Sequence, residues 1–388
     1  MRAASRGFLL LLGIALVLAP ACWAQSADAP ASVADPPIQL PAPTGTQAVG
    51  TTTTFWVDSA RADTIDATPR TVSAQIWYPA EVAPGSAVAE YAAGVDTAGD
   101  YGRLLARVRG HARRSPPFAR KVKRAPVLLF STGRSLSAYD YTSMAEDLAS
   151  HGYVVVGVNS PGLSRYWRPD GVQVPAQRPP SIRVLQKFDS ADVFFEPMVR
   201  DVSADLRFAL GRLEQADRSD PILKDHLDLK RIAMAGHSNG AIAASRACAG
   251  DERCRAYFGI EGTQAREVRK GGVTKPFALL ISDQSLGFDA ENVYRELGSH
   301  SASRYTVIVV KGAGHNTFTD LLLVRPTLFQ YSIDPKRGAE ITRVAIRAFL
   351  DTNLLHKDPN LLKSALAQYP EVDVQTAFTA GSPKPAER

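Results

Sequence analysis

The residues Gly236-His237-Ser238-Asn239-Gly240 set a serine between two glycines at Gly-x-Ser-x-Gly spacing. A hydroxyl there is a candidate nucleophile if the chain turns sharply from a strand into a helix, with glycines where a side chain would clash in the strained turn. Both flanks fit: Ile232–Ala235 is a short apolar run and Ala241–Ala249 a small-residue helical pattern. Ser238 then stands at the amino end of a helix, where free N–H groups and the helix dipole favour a developing oxyanion. One donor to that oxyanion is the N–H of the residue after the nucleophile, Asn239. The plain alternative is a structural serine in a tight turn, and the two flanks argue against it.

A serine hydroxyl is a weak nucleophile until a base takes its proton, so a histidine must come from elsewhere in the fold. Seven are available. His315 follows an apolar run, Tyr305–Val310, through the turn Lys311-Gly312-Ala313-Gly314. Loops just past the carboxyl ends of strands are where sites in open α/β sheets collect, and His315 is the expected base. His237 adjoins Ser238, but its side chain is expected to point away from it. His151 reads as a helix cap, and His111, His226, His300 and His356 read as surface residues.

Elements that can hold such groups follow from the apolar pattern. Strand candidates are Thr53–Val57, Val72–Tyr78, Val127–Phe130, Tyr153–Val158, Ile232–Ala235, Tyr257–Ile260, Phe277–Ile281 and Tyr305–Val310. The later ones are continuously apolar, as suits strands covered on both faces. Helical patterns lie between them at Tyr139–Ser150, Ala191–Gln215 and Ala241–Ala249, with Gly338–Thr352 last. In that last one Ile341, Val344, Ala345, Phe349 and Leu350 form a single apolar stripe. The alternation predicts an α/β domain over residues 51–352, with a mostly parallel sheet of about eight strands and helices on both faces. A tail over 353–388 is expected to hold one short helix, Leu361–Gln368, and then a disordered Pro-bearing end.

The chain has 388 residues, 45% hydrophobic and 22% charged, which suits a globular core and excludes disordered or fibrous classes. Its formal net charge of +6 is too mild to imply nucleic acid. Arg2 and Arg6, the apolar run Phe8–Leu18 and the small residues that follow read as a secretory signal peptide over residues 1–24. A secreted or periplasmic location is therefore expected. Cys22 offers a lipoprotein anchor instead, but Ala19-Pro20-Ala21 is a poor acylation signal. Residues 25–50, rich in Ala and Pro, read as a flexible spacer. In an oxidising compartment Cys248 and Cys254, six apart, are predicted to form a disulfide. No metal site or cofactor is called for. One stretch breaks the rhythm: between Tyr101 and Tyr139 there are ten arginines and lysines and no acid, most of them in a basic excursion over about residues 91–124. It reads as a solvated basic helix or, through Leu104, Leu105 and Val108, as peripheral membrane contact over Arg103–Arg124.

Three stretches resemble α/β-hydrolases of the platelet-activating factor acetylhydrolase type. They are Pro126–Gly133 with Asp147–Val154, the turn around Ser238, and Gly314-His315-Asn316-Thr317-Phe318-Thr319-Asp320. The resemblance implies the α/β-hydrolase fold and an acid that orients the histidine. Two positions compete. Glu261, after Tyr257–Ile260, occupies the slot used by the acetylhydrolase group, where the family has Asp. Asp283, after Phe277–Ser282, occupies the slot of most other α/β-hydrolases. The resemblance also implies that the second oxyanion donor is the N–H of Arg134, after Ser131-Thr132-Gly133, where the family usually has His-Gly in place of Thr132-Gly133. The Arg134 side chain is then placed to meet an anionic or phosphate-bearing substrate. The expected activity is cleavage of short-acyl or lipid-like carboxylic esters. Its rivals are a general carboxylesterase, lipase or polyester hydrolase of the same fold and, in another class, a hydrolase-fold protein that binds without catalysis.

Overall fold

The computed structural model describes residues 36–377 apart from 65, 169, 178–187, 288–296, 298–299 and 304. The expected signal peptide with Cys22, the first part of the spacer up to residue 35, and the chain beyond Ala377 lie outside the described residues.

Nine strands carry the architecture: β1 (Ala48–Ala62), β2 (Pro69–Ala80), β3 (Ala125–Ser131), β4 (Val154–Asn159), β5 (Leu227–His237), β6 (Cys254–Ile260), β7 (Phe277–Ser282), β8 (Tyr305–Val310) and β9 (Val372–Ala377). With the two-residue strand Arg113–Arg114 they make one ten-stranded sheet in the order β9-β8-β7-β6-β5-β3-β4-β2-β1-Arg113–Arg114. The six from β4 to β8 in that order are mutually parallel; β2 runs antiparallel to β4 and to β1, β9 antiparallel to β8, and Arg113–Arg114 parallel to β1.

The continuous apolar runs have a physical cause in the two cores. Successive side chains of a strand point to opposite faces. Val127 and Leu129 of β3 enter one core with Leu206, Leu210 and Leu213 of the long helix Phe188–Ser219. Leu128 and Phe130 enter the other with Met144 and Leu148 of the helix Thr142–Ser150 and Ile341, Ala345 and Phe349 of the helix Pro335–Leu354. Neither face of β3 meets water, so no polar residue alternates into it. The helix Asn239–Ala249 lies on the first face and presents Ala243, Ala244 and Ala247, small enough for close packing on the sheet.

Two expectations are corrected, and the setting of the basic segment is defined. The spacer ends earlier than residue 50: Ile38–Gln39 pair with Val108–Arg109, Leu40 is buried, and Arg343 donates to the carbonyls of Pro41 and Ala42. The tail is not disordered up to Ala377, because β9 pairs with β8 from Tyr305 to Val310 and closes that edge. Only four residues of alternation, Val372-Asp373-Val374-Gln375, with the two valines packed on the second core, hinted at it. Finally, the leucines of the basic segment face protein. In the helix Asp100–Arg107, Leu105 is buried with Leu40, Tyr91 and Tyr139, and Leu104 packs on the same cluster. Acids from other parts of the chain meet its cations: Arg114 pairs with Glu90 at 2.9 Å, Arg120 with Glu81 at 3.0 Å and Arg124 with Asp217 at 3.2 Å.

Candidate active site

From β3 the chain passes to β4 on one side of the sheet, whereas β5 lies on the other side of β3. The carboxyl ends of β3 and β5 thus open a crevice at the point where strand order reverses, the usual ligand position in open α/β sheets. Ser238 stands there, directly after β5, with φ 56° and ψ −126°, a conformation L-residues rarely adopt. Strain of this kind, on the order of 1–3 kcal/mol, persists only where the surroundings dictate it. They do so here. The Ser238 N–H donates to the Ile260 carbonyl at 2.8 Å, and its own carbonyl accepts from Ala241 and Ile242 at the start of the helix. A Cβ on Gly236 would come within 2.4 Å of the Gly240 carbonyl oxygen, and one on Gly240 within 2.1 Å of that of Thr132. The glycines at both ends of the motif are therefore steric necessities of the turn.

His315 lies past β8, as expected, and its ring reaches back across the crevice. Its Nε2 is 3.0 Å from Ser238 Oγ, and its Nδ1 is 3.2 Å from Glu261 Oε2. A ring that donates from Nδ1 to a carboxylate has a lone pair on Nε2 to receive the serine proton. The ring is 44% exposed, so small molecules can approach its serine side, while the Glu261 side chain is fully buried.

Glu261 directly follows β6 with φ 49° and is anchored through its N–H to the Leu280 carbonyl at 2.9 Å. Its Oε1 accepts from the Ser282 N–H, and its Oε2 accepts from Ser285 Oγ at 2.6 Å as well as from His315. Burial alone would raise its pKa. The bonds from His315, Ser285 and Ser282 outweigh that and hold the carboxyl below the usual range, hence ionised. Of the two competing acids, then, Glu261 meets His315. Asp283 does not: its carboxylate accepts from the Gly312 N–H at 3.1 Å and steadies the turn that leads to His315.

The two expected oxyanion donors sit at the mouth of the crevice. Gly133, one residue before Arg134, spends its N–H on the Tyr141 hydroxyl at 2.9 Å. Among the described residues the N–H groups of Arg134 and Asn239 have no protein acceptor. The Arg134 guanidinium lies 6.0 Å above the Phe195 ring. Burial lowers its pKa from the ordinary arginine value, and no described carboxylate offsets that burial. A pocket of about 120 Å³ borders Asn239, lined by Phe195, Val199, Ile242, Thr263 and Ala265 among others.

Sequence reasoning passed over two groups that build the site. Ser285 carried no signal, being one serine in an irregular segment. Asp320 stood in a motif without an assigned role. It accepts from the Ser143 N–H at 2.9 Å and from Ser143 Oγ, and its own N–H donates to the Asp140 carbonyl at 2.7 Å. It thereby clamps the His315 loop to the amino end of the helix Thr142–Ser150. Cys248 and Cys254 form the expected disulfide, joining the end of the helix Asn239–Ala249 to the start of β6. Among the described residues no cluster of three His, Cys, Asp or Glu side chains is placed to hold a metal.

A profile of the family described as platelet-activating factor acetylhydrolase, isoform II, matches residues 217–368, a span that contains Ser238, Glu261 and His315. Over 278 residues, 64% of this chain, the sequence is 26% identical to a probable 1-alkyl-2-acetylglycerophosphocholine esterase of Arthroderma benhamiae. Over 258 residues, 60% of the chain, it is 22% identical to the platelet-activating factor acetylhydrolase of Bos taurus. The matches span 65% and 58% of those relatives' lengths, less than two thirds of either. Among solved structures, a ferulic acid esterase from Streptomyces cinnamoneus superposes with a TM-score of 0.73 at 24% identity, over 87% of this chain and 99% of that one. The chain therefore has the α/β-hydrolase fold and is similar in sequence to the platelet-activating factor acetylhydrolases.

Proposed function

We propose that this protein is a serine hydrolase that cleaves carboxylic esters through an acyl-enzyme. The carrying observation is the chain of contacts Ser238 Oγ–His315 Nε2–His315 Nδ1–Glu261 at 3.0 and 3.2 Å, on a strained turn at the crevice of the sheet. Ser238 attacks the ester carbonyl while His315 takes its proton. Glu261 holds the ring in the tautomer that can do so and stabilises the imidazolium that forms. The N–H groups of Arg134 and Asn239 receive the negative oxygen of the tetrahedral intermediate. His315 then returns the proton to the departing alcohol, and water repeats the sequence on the acyl-serine.

A short acyl group is the substrate reading best supported. The acetylhydrolase and acetylglycerophosphocholine esterase relatives are named for acetyl esters. The Arg134 guanidinium at the mouth suits a phosphate-bearing leaving group. A general carboxylesterase is the second reading, favoured by the ferulic acid esterase neighbour, which this chain covers almost end to end. Secretion or a periplasmic location is part of the proposal, supported by the Cys248–Cys254 disulfide.

A fluorophosphonate probe tests the mechanism: it labels wild type and leaves Ser238→Ala unlabelled, whereas an unlabelled wild type marks a binder without catalysis. A series of p-nitrophenyl esters beside an acetylated phospholipid tests the substrate. Turnover confined to two- to four-carbon acyl groups, with hydrolysis of the lipid, supports the first reading. A preference for long chains or for aromatic acids overturns it.

A further inference from the structure

His237 lies between Gly236 and Ser238 and takes no part in the steps above, yet its ring is 1% exposed at the centre of the site. Three contacts run through it. The Gly133 N–H donates to the Tyr141 hydroxyl oxygen at 2.9 Å, that hydroxyl is 2.9 Å from His237 Nδ1, and His237 Nε2 is 2.8 Å from the His315 carbonyl oxygen. The direction of every bond follows from the last. A carbonyl oxygen only accepts, so Nε2 carries a proton. In a neutral ring Nδ1 then has only a lone pair, so the Tyr141 hydroxyl donates to it and its oxygen is left to accept from Gly133.

The ring is indeed neutral. Burial, and then the neighbouring His315 charge, push its pKa down to about 3, and Glu261 and the bond to the His315 carbonyl offset this only in part. The ionisable groups facing it are Tyr141 and His315, the latter with ring centres 4.8 Å apart, and Glu261 beyond them. Gly133 completes the fit: a Cβ there would sit 2.6 Å from His237 Nδ1, so only glycine lets the loop after β3 close onto the imidazole.

We infer that His237 is a positioning residue that, through Tyr141, ties the loop carrying the Arg134 N–H to the backbone of His315, so that the oxyanion donor and the base are held at one separation. This rests on the esterase reading above and adds to it a second tie between two loops, beside the clamp of Asp320 on Asp140 and Ser143. One follows β3 and the other β8, at opposite sides of β5 in the sheet. Removing either middle member leaves buried polar groups without partners and lets the loops drift apart, a loss felt in the transition state more than in substrate binding.

Turnover is read per fluorophosphonate-titratable site, so that partial unfolding does not count. Tyr141→Phe and His237→Leu are each expected to lower kcat about ten- to hundred-fold with KM changed less than about threefold. The double variant falls no further than the worse single one, and His237→Gln, which keeps a donor and an acceptor, recovers most of the loss. Histidine-labelled wild type examined by ¹⁵N NMR shows the His237 ring neutral and protonated on Nε2 from pH 5 to 8, and Tyr141→Phe moves its Nδ1 resonance. Wild-type kcat in Tyr141→Phe, additive losses, or a His237 proton on Nδ1 would each overturn the inference. A wild type that neither labels nor hydrolyses esters defeats the esterase reading instead, and the NMR spectrum still reports the ring's tautomer.

Discussion

Two carboxylates flank His315, and both are fully buried. Glu261 lies against the ring, and Asp320 follows five residues later in the same loop. Burial pushes both upward, yet only Asp320 ends above the usual carboxylate range. Glu261 is held below the usual carboxylate range because a histidine, a hydroxyl and a backbone N–H all donate to it. Asp320 has two donors from Ser143, but burial dominates and the neighbouring Asp140 repels it, so its pKa rises to about 7. Asp140, buried beside it, is itself raised to about 6. Depth is the same in the two cases; what differs is the supply of donors, three separate groups on Glu261 against a single serine on Asp320, where the Arg343 cation does not make up the deficit. One acid is therefore kept charged against the His315 ring, while the other is a clamp that protonates near neutral pH.

Exchanging each carboxylate for its amide tests that contrast most severely. Glu261→Gln is expected to lower kcat about 10³- to 10⁴-fold, since the amide can hold the ring in the wrong tautomer. Asp283→Asn should stay within about threefold, because among the described residues its carboxylate meets the Gly312 N–H and not His315. Equal losses in the two variants would erase the distinction between the acids.

Next in size is an effect on stability. The raised pKa of Asp320 means that the native state holds more protons than the unfolded chain between about pH 4 and its folded value of about 7. Its cost to stability is absent below pH 4, grows as pH rises through that window and is complete above it. Asp320→Asn, whose amide can still pair with Ser143, removes this cost. The variant is expected to match wild type at pH 4 and to exceed it by about 2–4 kcal/mol at pH 8 in urea unfolding, with Asp140 adding a smaller slope of the same sign. A constant difference across pH would show that Asp320 does not titrate in the fold.

The smallest effect sharpens the Glu261 side. Ser285→Ala deletes one of its three donors, so the pKa of Glu261 rises toward the value burial alone would give. The expected loss in kcat is about tenfold at pH 5 and less at pH 8, read from a pH–rate profile. A loss independent of pH would leave Ser285 as mere packing.

Much of this was legible without coordinates. Strands β3 to β8 were readable because both faces are covered, so Val127–Phe130 or Phe277–Ile281 could not carry polar residues. The turn at Ser238 was readable because the steric demands of a strained bend fall on Gly236 and Gly240 themselves. His315 was readable from its place after a strand. The edges were less so: β9 is a short alternation after a proline, and the segment up to residue 47 has no period because single contacts, such as Arg343 on Pro41, hold it.

From the sequence alone came the element order, the candidate nucleophile, the candidate base and a choice of two acids. These are local properties, fixed by periodicity and by the backbone geometry of a few adjacent residues. Tertiary structure alone decided that Glu261 and not Asp283 reaches the ring, that His315, Ser285 and Ser282 together hold the Glu261 carboxyl low, that the leucines beside the arginines turn inward, and that His237 spans two loops. Each of these depends on distances between residues tens of positions apart, and on the burial those neighbours create. A one-dimensional pattern records which groups are present; the field and the separation that give them their charge exist only once the chain has closed around them.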